Sequence, residues 1–362
     1  MKITFVTSYL APGGAERVIA LLANSFADAG YSVNLVYFKK KDDFYSLDNR
    51  ISKYYLDIPR YSGTLISGLK NTRIRILKLR EQIQQIAPDI VISFITDINV
   101  LTALACRKLN VSTIISERTN PNEYRIPLKW KIAARLFYKN TDKLVVQTEK
   151  VKRFFNYMPS SKMEVIPNPI KKPFVKAKER ENKKEKIILA VGRLEYPKGF
   201  DLLIETFSYT KAKENWKLIV AGEGSQRPKL EKLIEKYNLN SKVSLVGLQR
   251  TVNEFYSLAS VFVLSSRYEG FPNSLAEAMS WGLPCISFNC DFGPAELIQQ
   301  NVNGILVENG NVNKMAEQID HIVEDESLRT RLGKNATSII NKLDLDLIVR
   351  RWKKVFGEMI DS

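Results

Sequence analysis

One pattern recurs along this chain and restricts what it can fold into: a short apolar run, a turn, apolar residues at helical spacing, then another short apolar run. Lys2–Thr7 leads to Pro12-Gly13-Gly14, after which Val18, Leu21, Leu22, Ser25 and Phe26 recur at helical spacing until Gly30 closes the segment. Val33–Phe38 then reads as a second strand. A strand–turn–helix–strand unit of this kind opens an α/β fold with a parallel sheet. Further short, buried-looking strands are expected at Asp89–Phe94, Ser112–Ser116 and Lys143–Gln147, with a helix at Val100–Leu109. Around Pro167, Pro169 and Pro173, and on through Lys176–Lys186, the chain turns basic and polar and reads as a linker. Beyond it the pattern restarts, with strands expected at Ile187–Val191, Lys217–Ala221, Val243–Val246, Val261–Leu264 and Pro284–Phe288. Ile348, Trp352, Val355 and Phe356 give Leu345–Ile360 the spacing of an amphipathic helix.

The expected organisation is therefore an N-terminal Rossmann-like domain over 1–170, a linker over 171–186, a second Rossmann-like domain over 187–344 and a C-terminal helix over 345–362, packing back towards the first domain. A length of 362 residues suits two domains, and a hydrophobic content of 44% supports sizeable cores. The longest apolar runs fall far short of the about 20 residues that a membrane-spanning helix needs. No signal-peptide core develops before Pro12, so the expected location is the cytoplasm. Three cysteines, Cys106, Cys285 and Cys290, form no CxxC pair and read as passive thiols. With His321 as the only histidine, a zinc site or a histidine-based hydrolytic triad is not expected.

The charge is concentrated in one half. Residues 1–173 carry 28 Lys and Arg against 14 Asp and Glu, which is most of the net +16. Two segments hold much of it. Leu65, Leu69, Thr72, Ile76, Leu79, Ile83 and Ile86 form a stripe on a helix bearing Lys70, Arg73, Arg75, Lys78 and Arg80, and Pro127–Lys139 interleaves aromatic and cationic residues. Such segments suit a helix resting on an anionic membrane surface, or a core helix with a solvated basic back. No nucleic-acid module signature occurs, so nucleic acid is not an expected partner.

Four local features point to a negatively charged, nucleotide-like ligand. Ala11–Arg17 places Gly13 and Gly14 at a helix start, where free amides attract phosphate. Gly192–Gly199 follows a strand and sets Arg193 and Lys198 five residues apart, the paired cations a diphosphate needs. Val220–Ser225 opens another glycine-bearing turn with Glu223 between Gly222 and Gly224. The fourth, Ser265–Met279, puts Glu269 in a strand-to-helix loop and Glu277 inside the following helix, around Gly270, Phe271, Pro272 and Asn273. Carboxylates placed this way can accept hydrogen bonds from sugar hydroxyls.

Taken in order, the GGAER turn, the GRLxxxKG turn, the AGEG turn and the two glutamates eight apart around EGFP resemble the retaining glycosyltransferases of family 4. The resemblance spans residues 2–356. It implies an α/β GT-B fold, two Rossmann-like doubly wound domains facing across a cleft. It further implies that Glu277 binds the ribose of the donor and Glu269 the hydroxyls of the transferred hexose, with Arg193 and Lys198 gripping the diphosphate as catalytic cations. Gly13 and Gly14 would bring amides to the same phosphates, and Gly247 with Leu248 would frame the base. By the same resemblance Glu223 and the Gly270–Asn273 turn belong to the donor site. No metal and no cofactor are expected. The only Asp-x-Asp triplet, Asp344–Asp346, adjoins the C-terminal helix and reads as a helix-start carboxylate pair.

The chain departs from the family at Ile115–Pro121, where Arg118 occupies the place of a histidine found in many relatives. An arginine cannot accept a proton at neutral pH, but it can bind hydroxyls or phosphates, so Arg118 becomes a candidate acceptor-binding residue. The implied function is transfer of a hexose or N-acetylhexosamine from a nucleotide diphosphate sugar, with a UDP-sugar as the expected donor. The implied acceptor is a lipid-linked saccharide, met by a peripheral protein on the inner face of the membrane, as in polysaccharide, O-antigen or capsule assembly. The alternatives are transfer to a soluble acceptor and a non-catalytic nucleotide-sugar-binding module.

Overall fold

The structure is a computed structural model, and it describes residues 1–56, 58, 65–118, 126–173 and 184–360. Most of the expected linker, together with Thr119, Asn120 and Pro121, lies outside the described residues. The chain divides into two compact units, Met1–Pro169 with Leu345–Ser362, and Ile170–Asp344.

The first unit is built on a seven-stranded parallel sheet. Its strands are β1 (Lys2–Thr7), β2 (Ser32–Tyr37), β3 (Ser52–Tyr55), β4 (Ile90–Phe94), β5 (Ser112–Ser116), β6 (Lys143–Val146) and β7 (Met163–Val165), in the order β3-β2-β1-β4-β5-β6-β7. The register sets Phe5 against Leu35 on one side and Ile92 on the other. Helices α1 (Gly14–Asp28), α2 (Leu65–Ile86), α3 (Thr96–Cys106), α4 (Leu128–Phe137) and α5 (Glu149–Phe154) accompany it. Because side chains alternate along a strand, Phe5 and Val6 feed two separate cores. Phe5 joins Phe26, Phe94 and the C-terminal helix Leu345–Ile360, whose Ile348, Trp352 and Phe356 are all fully buried. Phe26 and Phe356 stand 5.2 Å apart between ring centroids. Val6 instead joins Val91, Leu101 and the α2 residues Leu79 and Ile83.

The second unit repeats the arrangement with six parallel strands: β8 (Ile187–Val191), β9 (Lys217–Ala221), β10 (Val243–Leu245), β11 (Val261–Leu264), β12 (Cys285–Phe288) and β13 (Ile305–Val307). Their order is β10-β9-β8-β11-β12-β13, with the first strand, β8, between β9 and β11. Its helices include α6 (Phe200–Tyr209), α7 (Arg227–Lys236), α8 (Asn253–Leu258), α9 (Asn273–Ser280), α10 (Pro294–Leu297), α11 (Val312–Glu324) and α12 (Glu326–Ala336). Central strands are fully apolar because helices cover both sheet faces. Phe207, Val263 and Ile319 belong to the core on one face, and Phe262, Leu275 and Met279 to the core on the other.

The three cysteines are free and buried, and burial pushes the Cys106 and Cys290 thiols up to about 12. Thiols held protonated in this way alkylate slowly in the folded protein. The C-terminal helix enters the first core through Ile348, Trp352 and Phe356, and Trp352→Ala is expected to destabilise that unit by about 3–5 kcal/mol in denaturant titration.

Candidate active site

In the second unit, the residues singled out from sequence gather at the carboxyl ends of β8 and β11. These neighbouring strands lie where the strand order reverses, the usual ligand position in open α/β sheets. From β8 the chain passes Gly192 and Arg193 into a short 3-10 turn, Tyr196–Lys198, that ends at Gly199. From β11 it passes Ser265 and Ser266 to Glu269, and Pro272 then caps α9.

Backbone contacts stitch the two segments together. Arg267 N donates to Pro197 O at 2.8 Å, and Ser265 Oγ donates to Lys198 O at 2.9 Å. Gly199 makes this approach possible: its φ is +61°, and a Cβ there would lie 2.1 Å from Ser265 O. Arg267 adds an ion pair to Asp201 at 2.7 Å and stacks over Tyr196 at 4.2 Å. With the turn fixed, Lys198 Nζ meets Glu269 Oε1 at 2.6 Å, and Ser266 Oγ donates to the same oxygen at 2.7 Å. Glu269 is buried, and Arg193, on the same turn, is exposed.

Glu277 sits one helical stretch further on, buried within α9. The hydroxyl of Tyr256, on α8, lies 3.2 Å from its Oε2 and 3.3 Å from Ser274 O. Gly270 and Asn273 are half-buried in the turn before and at the start of α9. The side chain of Phe271 belongs to the core with Leu264 and Leu275. Pro272 is accommodated by Gly293, whose φ is +108° and where a Cβ would lie 2.3 Å from Pro272 Cδ.

Glu223 and Leu248 flank the same strand ends from β9 and β10. Gly222 N donates to Gly247 O at 2.9 Å, which joins the two turns. Glu223 is exposed, and the single N–H of Arg227 Nε is shared between its two carboxylate oxygens, at 3.0 and 2.9 Å. Leu248 is 49% exposed, a large apolar side chain held in solvent. The glycines of the AGEG turn have a packing reason of their own. A Cβ on Gly222 would stand 1.8 Å from Gly192 O, and one on Gly224 2.4 Å from Leu194 O.

In the first unit, Gly13 caps α1 and Gly14 begins it. The Glu16 carboxylate folds back over this turn, close enough that a Cβ on Gly13 would lie 2.2 Å from it. Arg118 follows β5 and is buried. Its Nε donates to Ser116 Oγ at 2.8 Å, its Nη1 to Asn168 Oδ1, and its carbon stacks 5.3 Å from the Phe94 ring and 6.0 Å from that of Trp352. Nη2 is buried and has no hydrogen-bond partner among the described residues. Burial pushes this guanidinium down to about 9, against the opposing pull of Glu117, and it stays charged at neutral pH.

Sequence reasoning missed Glu117 itself. It is fully buried and accepts hydrogen bonds from Thr96 Oγ1 at 3.0 Å, Asn99 Nδ2 at 2.9 Å and the Tyr138 hydroxyl. Ile95, between β4 and α3, adopts φ +74°, a strained conformation for a β-branched residue, beside this network. Nothing local in the sequence points to Tyr138 or to Tyr256, because each meets its carboxylate from twenty-one positions away. Ser266 was within reach, as it lies in the same run as Glu269.

Two outcomes follow. Gly199→Ala is expected to destabilise the second unit by about 1–3 kcal/mol through strain at positive φ and collision with Ser265 O, seen as a lowered denaturation midpoint. Burial raises Glu117 above its ordinary 4.5, outweighing its three hydrogen bonds. The folded state therefore holds this proton more tightly than the unfolded chain, so its contribution to stability declines as pH rises above about 4.5. Glu117→Gln lacks that decline, and denaturant midpoints of the two proteins across pH 4–8 measure it.

Comparison with known proteins agrees with this architecture. The family described as Glycosyl transferases group 1 matches residues 171–339, and Glycosyltransferase Family 4 matches residues 12–172. The chain is 30% identical over 332 residues to an uncharacterized glycosyltransferase of Methanocaldococcus jannaschii, covering 77% of this chain and 82% of that one. It is 27% identical over 361 residues, 99% of each chain, to the Campylobacter jejuni GalNAc-alpha-(1->4)-GalNAc-alpha-(1->3)-diNAcBac-PP-undecaprenol alpha-1,4-N-acetyl-D-galactosaminyltransferase. The crystal structure of Anabaena HepE in complex with UDP and glucose superposes with a TM-score of 0.80 at 16% identity, covering 99% of this chain and 100% of that one. With two parallel Rossmann-like sheets and these matches, the chain belongs to the GT-B glycosyltransferases of family 4.

Proposed function

We propose that this glycosyltransferase moves a hexose or N-acetylhexosamine from a UDP-sugar to a lipid-linked saccharide at the inner face of the membrane, with retention of configuration. The observation that carries the donor half is the meeting of Lys198 with Glu269 beside Arg193 at the β8–β11 switch point. The acceptor half draws on the Campylobacter jejuni relative, whose name describes transfer to an undecaprenol-linked saccharide, and the uridine on the UDP bound by Anabaena HepE.

In this reading the bond between the anomeric carbon and the diphosphate breaks as an acceptor hydroxyl forms the new glycosidic bond on the same face. Negative charge grows on the departing diphosphate, and Arg193 and Lys198 offer it preplaced positive charge. The acceptor proton passes to the leaving phosphate oxygen. Glu269 holds hydroxyls of the transferred sugar while Ser266 and Lys198 fix its orientation, and Glu277, steadied by Tyr256, takes the ribose. The Gly270–Asn273 turn and Glu223 complete the donor residues, with Leu248 beside the base. Gly13 and Gly14, in the first unit, offer helix-start amides of the kind that attract phosphate. Arg118, whose Nη2 is buried with no hydrogen-bond partner among the described residues, is the candidate contact for the acceptor. No step calls for a metal.

Removal of one preplaced charge tests the mechanism. Lys198→Ala is expected to lower kcat about 10²–10³-fold with a smaller change in the donor KM. The product anomer, read by NMR coupling, is expected to match that of the donor. An inverted product contradicts retention, and an unchanged kcat removes Lys198 from the chemistry.

A further inference from the structure

Of the two basic segments evident in the sequence, the structure buries the apolar side of one and exposes that of the other. On α2, Leu79, Ile83 and Ile86 are buried in the core of the first unit, so this part of the stripe is spent on folding, while the side chains of Leu65 and Leu69 lie outside the described residues. Helix α4 behaves oppositely. Leu128, Ile132 and Leu136 are 70%, 52% and 58% exposed. They are spaced four apart, and at about 3.6 residues per turn they share one face. That helix meets the protein instead through Ala134, buried, and Trp130, which packs against the α2–α3 core.

A further exposed apolar side chain, Phe154 at 44%, ends α5; it packs on the buried Phe155, which stacks on the buried Tyr138 directly after α4. Cations border the face: Lys129 and Arg135 on α4, Lys139 after it, and Arg153 on α5 are all exposed. From Ile126 to Phe154 there are eight Lys and Arg against two carboxylates, Asp142 and Glu149.

We infer that α4 together with Phe154 is the surface by which this protein seats on an anionic lipid bilayer; the inference rests on the lipid-linked acceptor proposed above and names the residues that would meet the lipid. An exposed apolar face bordered by Lys and Arg suits an interfacial helix, with the side chains entering the headgroup boundary and the cations meeting phosphates. A second copy of this chain is a poor occupant, because it would set the same excess of positive charge against itself.

Sedimentation with vesicles tests the assignment, using phosphatidylcholine alone and phosphatidylcholine with about one-quarter phosphatidylglycerol. The protein is expected to bind the anionic vesicles and release them at high salt. The double variant Ile132→Glu/Leu136→Glu changes only exposed side chains, and its partition is expected to fall about tenfold or more, with its melting temperature and its UDP affinity unchanged. Anionic vesicles bound equally well by this variant overturn the assignment of α4. A wild type that transfers sugar to a soluble acceptor yet binds no vesicle overturns the membrane seat and leaves the donor reading standing. Vesicle binding without any sugar transfer supports the seat and contradicts the proposed function. Light scattering that shows a wild-type dimer and a monomeric variant, with no vesicle binding, assigns the face to self-association and overturns the inference.

Discussion

The close approach of two backbones at Gly199 and Ser265 governs the arrangement of the second unit's site. Parallel strands β8 and β11 end side by side, but their connections leave in different directions, and only a residue without a side chain allows the 196–199 turn to press against the 265–267 segment. That contact fixes Lys198 beside Glu269. A lysine has long, costly rotamer freedom to lose, so a carboxylate partner and a constrained turn are an effective way to hold its ammonium in place before a ligand arrives. Glu269 is buried and Lys198 only partly so, which leaves the ammonium some contact with solvent beside its carboxylate partner.

Buried carboxylates in the two units are handled in contrasting ways. Glu269 has a cation in contact, and Glu277 has a tyrosine hydroxyl within hydrogen-bond distance. Glu117 relies on three neutral donors, drawn from α3 and the turn after α4, and its charge is disfavoured by burial. It thereby ties two helices to the end of β5, next to Arg118 and the strained Ile95. Strain after β4 and buried charge after β5 cost stability that the surrounding core, with Trp352 and Phe94 stacked on Arg118, must offset.

Much of the fold was legible because parallel strands buried on both faces leave an unmistakable trace. Ile187–Val191 and Val261–Leu264 are such strands, and each ends where the sequence pattern stops. The short edge strands β3 and β7 left none: Ser-Lys-Tyr-Tyr is mostly exposed, so no apolar run marks it. Local motifs located Lys198, Glu269 and Glu277, since the turn and helix chemistry that positions them is written within a few residues. Tyr256, Asn99 and Tyr138 were not legible, because their roles arise only when distant segments pack. The basic helices illustrate the same limit. Both α2 and α4 have apolar residues at helical spacing, and only tertiary packing decides that α2 turns its apolar face inward while α4 keeps Leu128, Ile132 and Leu136 outside.

The central claim is that the carboxyl ends of β8 and β11 hold a nucleoside diphosphate between Lys198 and Glu277. Calorimetric titration of UDP into the protein in EDTA, beside the Glu277→Ala variant, tests it most directly. The account predicts binding by the wild type that weakens about ten- to hundredfold in the variant, the value of losing one or two hydrogen bonds to a charged group. Equal affinity in the two proteins, or no binding of UDP, GDP or ADP by the wild type, would contradict it.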